Sequence, residues 1–209
     1  NPFARGLMIW TAWKWWRILT IISKTALRMG GGELRQTLTG GSIELTEADY
    51  FRTINDKTAA LFAAAGEIAG IGRQADQATM ASLSELGRAF GFLFQIQDDI
   101  LDIEGLSATM GKPSGQDILN GNITLPMLLA LENASESERA EFQQRFDRGD
   151  DEDVRWIIGL IKQNDGTERT LDKARTYQED AISLLSGFKS SPYREALENL
   201  IAFGLTRLW

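Results

Sequence analysis

Three aspartates, Asp98, Asp99 and Asp102, interrupt an apolar run in which Phe92, Leu93, Phe94, Ile96, Ile100, Leu101 and Ile103 fill most other places. As a helix at about 100° per residue the run is apolar almost all round, the mark of a helix buried within a protein. Asp98 and Asp102, four apart, would stack on one face with Gln95 a turn earlier. An ionised carboxylate left alone among apolar groups is costly and takes up a proton rather than stay charged, so the three together demand a nearby cation. The chain has no His and no Cys, which leaves hard oxygen donors. Those suit Mg2+, which is typically held by one or two protein carboxylates and fills its octahedron with water and substrate phosphates. The chemistry implied is capture of a diphosphate through magnesium.

Positioning such a site takes a long helix, and periodicity predicts one from about Ala75 to Ile103 through Met80, Leu83, Leu86, Phe90 and Phe94. The stretch from Glu104 to Gln116, with Gly105, Gly111, Pro113 and Gly115, then reads as a loop. It carries Lys112, a point charge able to close over a diphosphate. Earlier, Thr46 and Asp49 form a capping pattern ahead of a helix with Tyr50, Ile54, Leu61 and Phe62 as its apolar stripe. Lys57 and Thr58 sit on it. Taken singly, Lys57, Glu33 and Gln36 read as surface residues.

Leu7 to Ile22 carries Trp10, Trp13, Trp15 and Trp16 with Lys14 and Arg17. Its polar face is too narrow for a membrane-surface helix, so a helix packed on the core or on a partner subunit is expected, its basic side chains snorkelling to water. The pattern continues to Gly30, Gly31 and Gly32, a helix stop or a close backbone approach. Pro126 is expected in the first turn of a buried helix through Met127 to Leu131. The acidic run Asp147 to Asp153 reads as a helix start rather than a second metal site. Helices are expected again over Thr167 to Leu185 and Pro192 to Leu208. With no convincing strand alternation, the fold is expected to be all α in one helical domain spanning residues 1–209.

Composition narrows the function. A net charge of −7 argues against a nucleic-acid surface. Zero Cys excludes disulfides and thiol catalysis, and zero His excludes the Ser-His-Asp triad and the usual zinc sites. No signal peptide and no apolar run of about 18 residues is present, so a cytoplasmic protein is expected.

Five blocks in order carry a family resemblance: Gly-Glu-Leu-Arg-Gln at 32–36, Lys-Thr-Ala-Ala-Leu-Phe at 57–62, Phe-Gln-Ile-Gln-Asp-Asp-Ile-Leu-Asp at 94–102, Gly-Lys-Pro-Ser-Gly-Gln-Asp at 111–117 and Gly-Asn-Ile-Thr-Leu-Pro at 121–126. The chain resembles the trans-polyprenyl diphosphate synthases of the isoprenoid synthase fold, above all the bacterial heptaprenyl and octaprenyl types. That resemblance implies a Mg2+-dependent prenyltransferase acting on an allylic diphosphate and isopentenyl diphosphate, with Asp98, Asp99 and Asp102 matching the second aspartate-rich motif. It assigns Gln36, Lys57, Thr58, Gln95 and Lys112 to holding or ionising the allylic diphosphate. It further implies a homodimer, or a heterodimer with another synthase subunit, and membrane contact through the product. Asn122 stands where many relatives have lysine. Nothing between Asn1 and Gly32 resembles the first aspartate-rich motif, and the chain starts at Asn1 rather than Met. A C-terminal portion of a synthase, or a subunit keeping half the metal site, is therefore expected, with the non-catalytic regulatory subunit as the alternative to the enzyme.

Overall fold

The computed structural model describes residues 2–105 and 115–206, with side chains from Trp13 to Gly204 within those spans. Every regular element among them is helical: α1 (Pro2–Thr39), α2 (Glu47–Ile54), a π-helical turn (Asn55–Ala59), α3 (Ala60–Arg73), α4 (Gln77–Glu104), α5 (Gln116–Leu119), α6 (Leu125–Asn133), α7 (Glu136–Arg148), α8 (Asp151–Gln163), α9 (Gly166–Ser186) and α10 (Pro192–Thr206). The all-α expectation holds.

Helix α4 is the axis. It starts where the Asp76 side chain accepts the Thr79 N–H and stops at Gly105, whose φ of 66° is left-handed backbone that glycine adopts without a Cβ clash. It packs on α3 and α9, and also on α6, α10 and the π turn. Leu93, Ile96, Ile100 and Ile103 are essentially solvent-free and belong to one core with Leu125, Met127 and Leu129 of α6 and Ile157 and Ile161 of α8. Each such side chain stabilises the bundle by about 1.5–3 kcal/mol relative to exposure. The aspartate motif thus stands on a helix that packs against α3, α6, α9, α10 and the π turn.

Helix α1 does not stop at the glycines but runs through them to Thr39. Gly32 marks the close approach: a Cβ there would lie 2.5 Å from the Lys57 backbone nitrogen, whereas Gly30 and Gly31 face open space. Among the described residues of the Trp-rich segment, Trp13, Trp15 and Trp16 are 53%, 61% and 72% exposed, so these three are not covered by the core of this chain. Arg17 does lie over the Trp13 ring, 5.1 Å from its centroid. Sequence reading missed α7 altogether. The acidic run caps α8: Asp150 accepts the Glu152 and Asp153 N–H groups, and buried Asp153 takes Arg145 and Arg148. Pro126 sits in the first turn of α6, as expected.

Candidate diphosphate and metal site

Between α1, α2, α4 and residues 117–124 lies a cavity of about 200 Å3, lined by Gln36, Lys57, Gln95, Asp98, Asp99 and Asp117 together with Tyr50 and Thr124. Of the sequence-predicted residues, Gln36, Lys57, Gln95, Asp98 and Asp99 converge here. Thr58 stands behind them, its hydroxyl donating to Gln95 Oε1 at 2.8 Å. Gln95 Nε2 donates onward to Asp99 Oδ1 at 3.0 Å, and the Tyr50 hydroxyl donates to Asp99 Oδ2 at 2.6 Å. Lys57 Nζ donates to Gln36 Oε1 at 2.7 Å and pairs with Glu33 at 2.9 Å. Lys112 lies outside the described residues.

The three aspartates do not share one environment, so the expectation of three buried carboxylates is corrected. Only Asp99 is buried, 2% exposed, while Asp98 is exposed and Asp102 half-buried. Nor does Gln95 line up with Asp98 and Asp102; four residues before Asp99, it bonds that carboxylate instead. Asp102 turns away from the cavity. Its two oxygens accept the backbone N–H groups of Gln116 and Asp117 at 2.9 and 3.0 Å, and its carbonyl accepts Gly115 N–H at 2.9 Å. By holding the start of α5 it brings Asp117 to the cavity.

Asp117, Tyr50 and Thr124 received no role from the sequence. Asp117 closes one of the matched blocks, and that was its available signal. Tyr50 reads as part of an apolar stripe, and only the fold brings it to Asp99, 49 residues away. Asn122, in the place many relatives give to lysine, donates from Nδ2 to Asp117 Oδ1 at 3.3 Å.

Among the described residues, Lys57 is the only cation lining the cavity. Burial, with the Asp117 charge adding, pushes the Asp99 carboxyl up to about 8, and burial with the Asp102 charge pushes Asp117 up to about 6. Burial likewise raises the Tyr50 hydroxyl, which therefore stays a neutral donor. Among the described residues no three acidic side chains come close enough to cage a metal ion by themselves. Magnesium does not need a protein cage, because it keeps waters and takes phosphate oxygens. Oxygen-only donors, two carboxylates raised by burial and by neighbouring negative charge, and a buried Thr124 hydroxyl lacking any partner fit that ion with a phosphate ligand.

The turn that carries Lys57 and Thr58 is irregular. Ala60 N–H reaches back to the Asn55 carbonyl, the five-residue step of a π helix, a distortion frequent at functional sites. Asp56 on this turn meets Arg28 at 2.8 Å and Arg35 at 3.0 Å. Burial would raise its carboxyl, but these hydrogen bonds together outweigh burial and hold it below the usual range.

Comparisons with known proteins bear on the sequence and the fold. The family described as Polyprenyl synthetase matches residues 3–161. The heptaprenyl diphosphate synthase component 2 of Geobacillus stearothermophilus is 32% identical, over 88% of this chain and 57% of the relative. A crystal structure of polyprenyl synthase from Caulobacter crescentus, complexed with calcium and isoprenyl diphosphate, superposes with a TM-score of 0.86 at 33% identity, covering 92% of this chain and 60% of that one. A decaprenyl diphosphate synthase from Rhodobacter capsulatus gives a TM-score of 0.87 at 32% identity, covering 99% and 64%. The chain thus spans about three fifths of the length of these relatives. In sequence and in fold, this chain belongs to the polyprenyl synthetase family.

Proposed function

We propose that the chain binds an allylic diphosphate through magnesium and takes part in prenyl transfer, condensing it with isopentenyl diphosphate to lengthen a polyprenyl diphosphate. The observation that carries this reading is the continuous hydrogen-bonded line Thr58, Gln95, Asp99 and Tyr50 beside a cavity that also holds Lys57 and Asp98. A bound Mg2+ supplies charge that stabilises the departing pyrophosphate.

The chain's own residues do the rest. Asp98 and Asp99 present carboxylate oxygens, with Tyr50 and Gln95 fixing the orientation of Asp99. Asp102 holds the segment that brings up Asp117. Gln36 and Glu33 aim the Lys57 ammonium at the cavity, where its charge favours a diphosphate and stabilises negative charge growing on the bridging oxygen. Lys112 would add a second ammonium. The carbon–oxygen bond of the allylic diphosphate breaks to an allylic cation and pyrophosphate. The isopentenyl double bond attacks that cation, and a proton passes to pyrophosphate. Surrounding apolar helices keep water from the cation.

Calorimetry with farnesyl diphosphate tests this. Binding is expected only with Mg2+, and to fall by about a hundredfold in Asp98→Ala while the helical circular-dichroism signal stays unchanged. Equal affinity for Asp98→Ala and wild type contradicts the assignment.

A second reading, a subunit working with a separate synthase subunit, draws on the exposed Trp13, Trp15, Trp16 and Leu19 of α1 and on a relative named as a component of its synthase. Farnesyl diphosphate elongation that starts only when such a subunit is added would favour it.

A further inference from the structure

Every residue of the π turn from Asn55 to Thr58 is tied to a neighbouring helix. Arg88 of α4 donates to Asn55 Oδ1 at 2.5 Å, and Thr58 donates to Gln95 of the same helix. Lys57 goes to Glu33 and Gln36 of α1. Asp56 is held hardest: Arg28 donates to Oδ1 through Nε at 3.2 Å and Nη2 at 2.8 Å, Arg35 donates to Oδ2 at 3.0 Å, and Asn55 Nδ2 donates to Oδ1 at 3.1 Å. Arg35 also donates to the Arg52 carbonyl at 3.4 Å, one turn before the irregularity.

Arg28, Gly32, Arg35 and Gln36 fall at i, i+4, i+7 and i+8, one face of α1. That face is shaped to the turn. Gly32 lets the backbones meet, the two arginines flank it and grip Asp56, and Gln36 takes the ammonium of the next residue. A π turn holds one residue more than an α turn, so relaxing it to α geometry would swing Lys57 and Thr58 about the axis relative to α1 and α4.

We propose that Asp56 is a positioning residue: bridging Arg28 and Arg35, it fixes the π turn in the register that directs Lys57 to the cavity and Thr58 to Gln95. The proposal rests on the diphosphate reading of the cavity. Asp56 touches no ligand and acts through Lys57 and Thr58. The pairs are partly exposed, and ion pairs so placed contribute little to stability, so Asp56→Ala is expected to stay folded. Asp56→Asn, which keeps the shape and loses the charge, is the milder variant.

The test is a double-mutant cycle in the 209-residue chain, titrating inorganic pyrophosphate in the presence of Mg2+. Asp56→Ala is expected to weaken binding about tenfold, the scale of losing an orienting partner behind a contacting group. In a Lys57→Ala background the same change is expected to do little, because its main route to the ligand is gone. A purely structural role lowers the melting temperature and leaves affinity alone. The side-chain amide resonances of Gln36 and Gln95, which report the Lys57 and Thr58 contacts without any ligand, are expected to shift together in Asp56→Ala and in Asp56→Asn. Equal losses of affinity in both backgrounds, or unmoved Gln36 and Gln95 resonances, overturn the proposal. Failure of wild type to bind pyrophosphate sinks the diphosphate reading instead, and the two amides then decide the role of Asp56 alone.

Discussion

Asp99 is the residue on which the site's electrostatics turn. Its carboxyl, pushed up to about 8 by burial and by Asp117, is protonated near neutrality until a cation favours the charged form, so magnesium binding must release a proton. Magnesium affinity is therefore expected to rise as pH goes from 6 to 8, with a proton release visible as a dependence of the calorimetric heat on buffer ionisation enthalpy. A pH-independent affinity would count against Asp99 as a ligand. Asp99→Asn keeps an acceptor for the Tyr50 hydroxyl and removes a desolvated charge. Thermal denaturation in chelator at pH 8 is expected to show it more stable than wild type, by on the order of 2 kcal/mol, while its magnesium response disappears. Residue types and spacing made Asp98 and Asp99 legible in the sequence, whereas Lys57 reads as a surface residue by itself and, like Gln95, took its role from the family resemblance. Residue types and spacing misplaced Asp102, because helical spacing describes side-chain direction within one helix and says nothing of the Gln116 and Asp117 amides that its carboxylate meets.

At the scale of elements, the close approach of α1 to the π turn depends on what is absent from Gly32. Gly32→Ala places a methyl group 2.5 Å from the Lys57 nitrogen and is expected to destabilise by about 1–3 kcal/mol through forced backbone movement. Gly30→Ala, two residues away in open space on the same helix, is expected to stabilise by about 0.5–1 kcal/mol through helix propensity. Opposite signs in chemical denaturation check the pair; equal signs would mean that Gly32 is not a contact point. Helix α7 was unreadable from hydrophobic periodicity because only Phe142 and Phe146 of its thirteen residues are buried. Its signal lay instead in the capping box, where Ser135 accepts the Glu138 N–H and Glu138 accepts the Ser135 N–H at 2.8 Å. Ser135→Ala is expected to cost about 1 kcal/mol in the same assay. Helices with long apolar stripes, α4 above all, were legible because their core faces repeat at the helical period. The π turn was not, since one extra residue leaves no mark on a stripe that resumes in α3.

For the molecule as a whole, two carboxylates of opposite character shape the pH response. Arg148 and then Arg145 hold Asp153 down to about 2 against the pull of burial, so its stabilisation is complete above the ordinary value of 3.8 and is lost as pH falls towards 2. Asp99 works the other way. Raised from 3.8 to about 8, it leaves the fold unburdened in acid and costs stability progressively as pH climbs between those values. Magnesium with pyrophosphate is accordingly expected to raise the melting temperature more at pH 8 than at pH 5, and Asp153→Asn to remove part of the fall in stability below pH 4. Nothing among the described helices is long and apolar enough to cross a membrane, and Trp13, Trp15 and Trp16 of α1 are among the large apolar side chains that the described residues leave exposed. The central claim is that one face of α4 holds a metal–diphosphate complex opposite Lys57, and crystals soaked in Mn2+ and pyrophosphate test it most directly. Anomalous density is expected about 2.2 Å from carboxylate oxygens of Asp98 or Asp99, with a phosphate oxygen completing the coordination and Lys57 Nζ within hydrogen-bonding distance of the pyrophosphate. Manganese bound only elsewhere, or pyrophosphate seated away from Lys57, would contradict it.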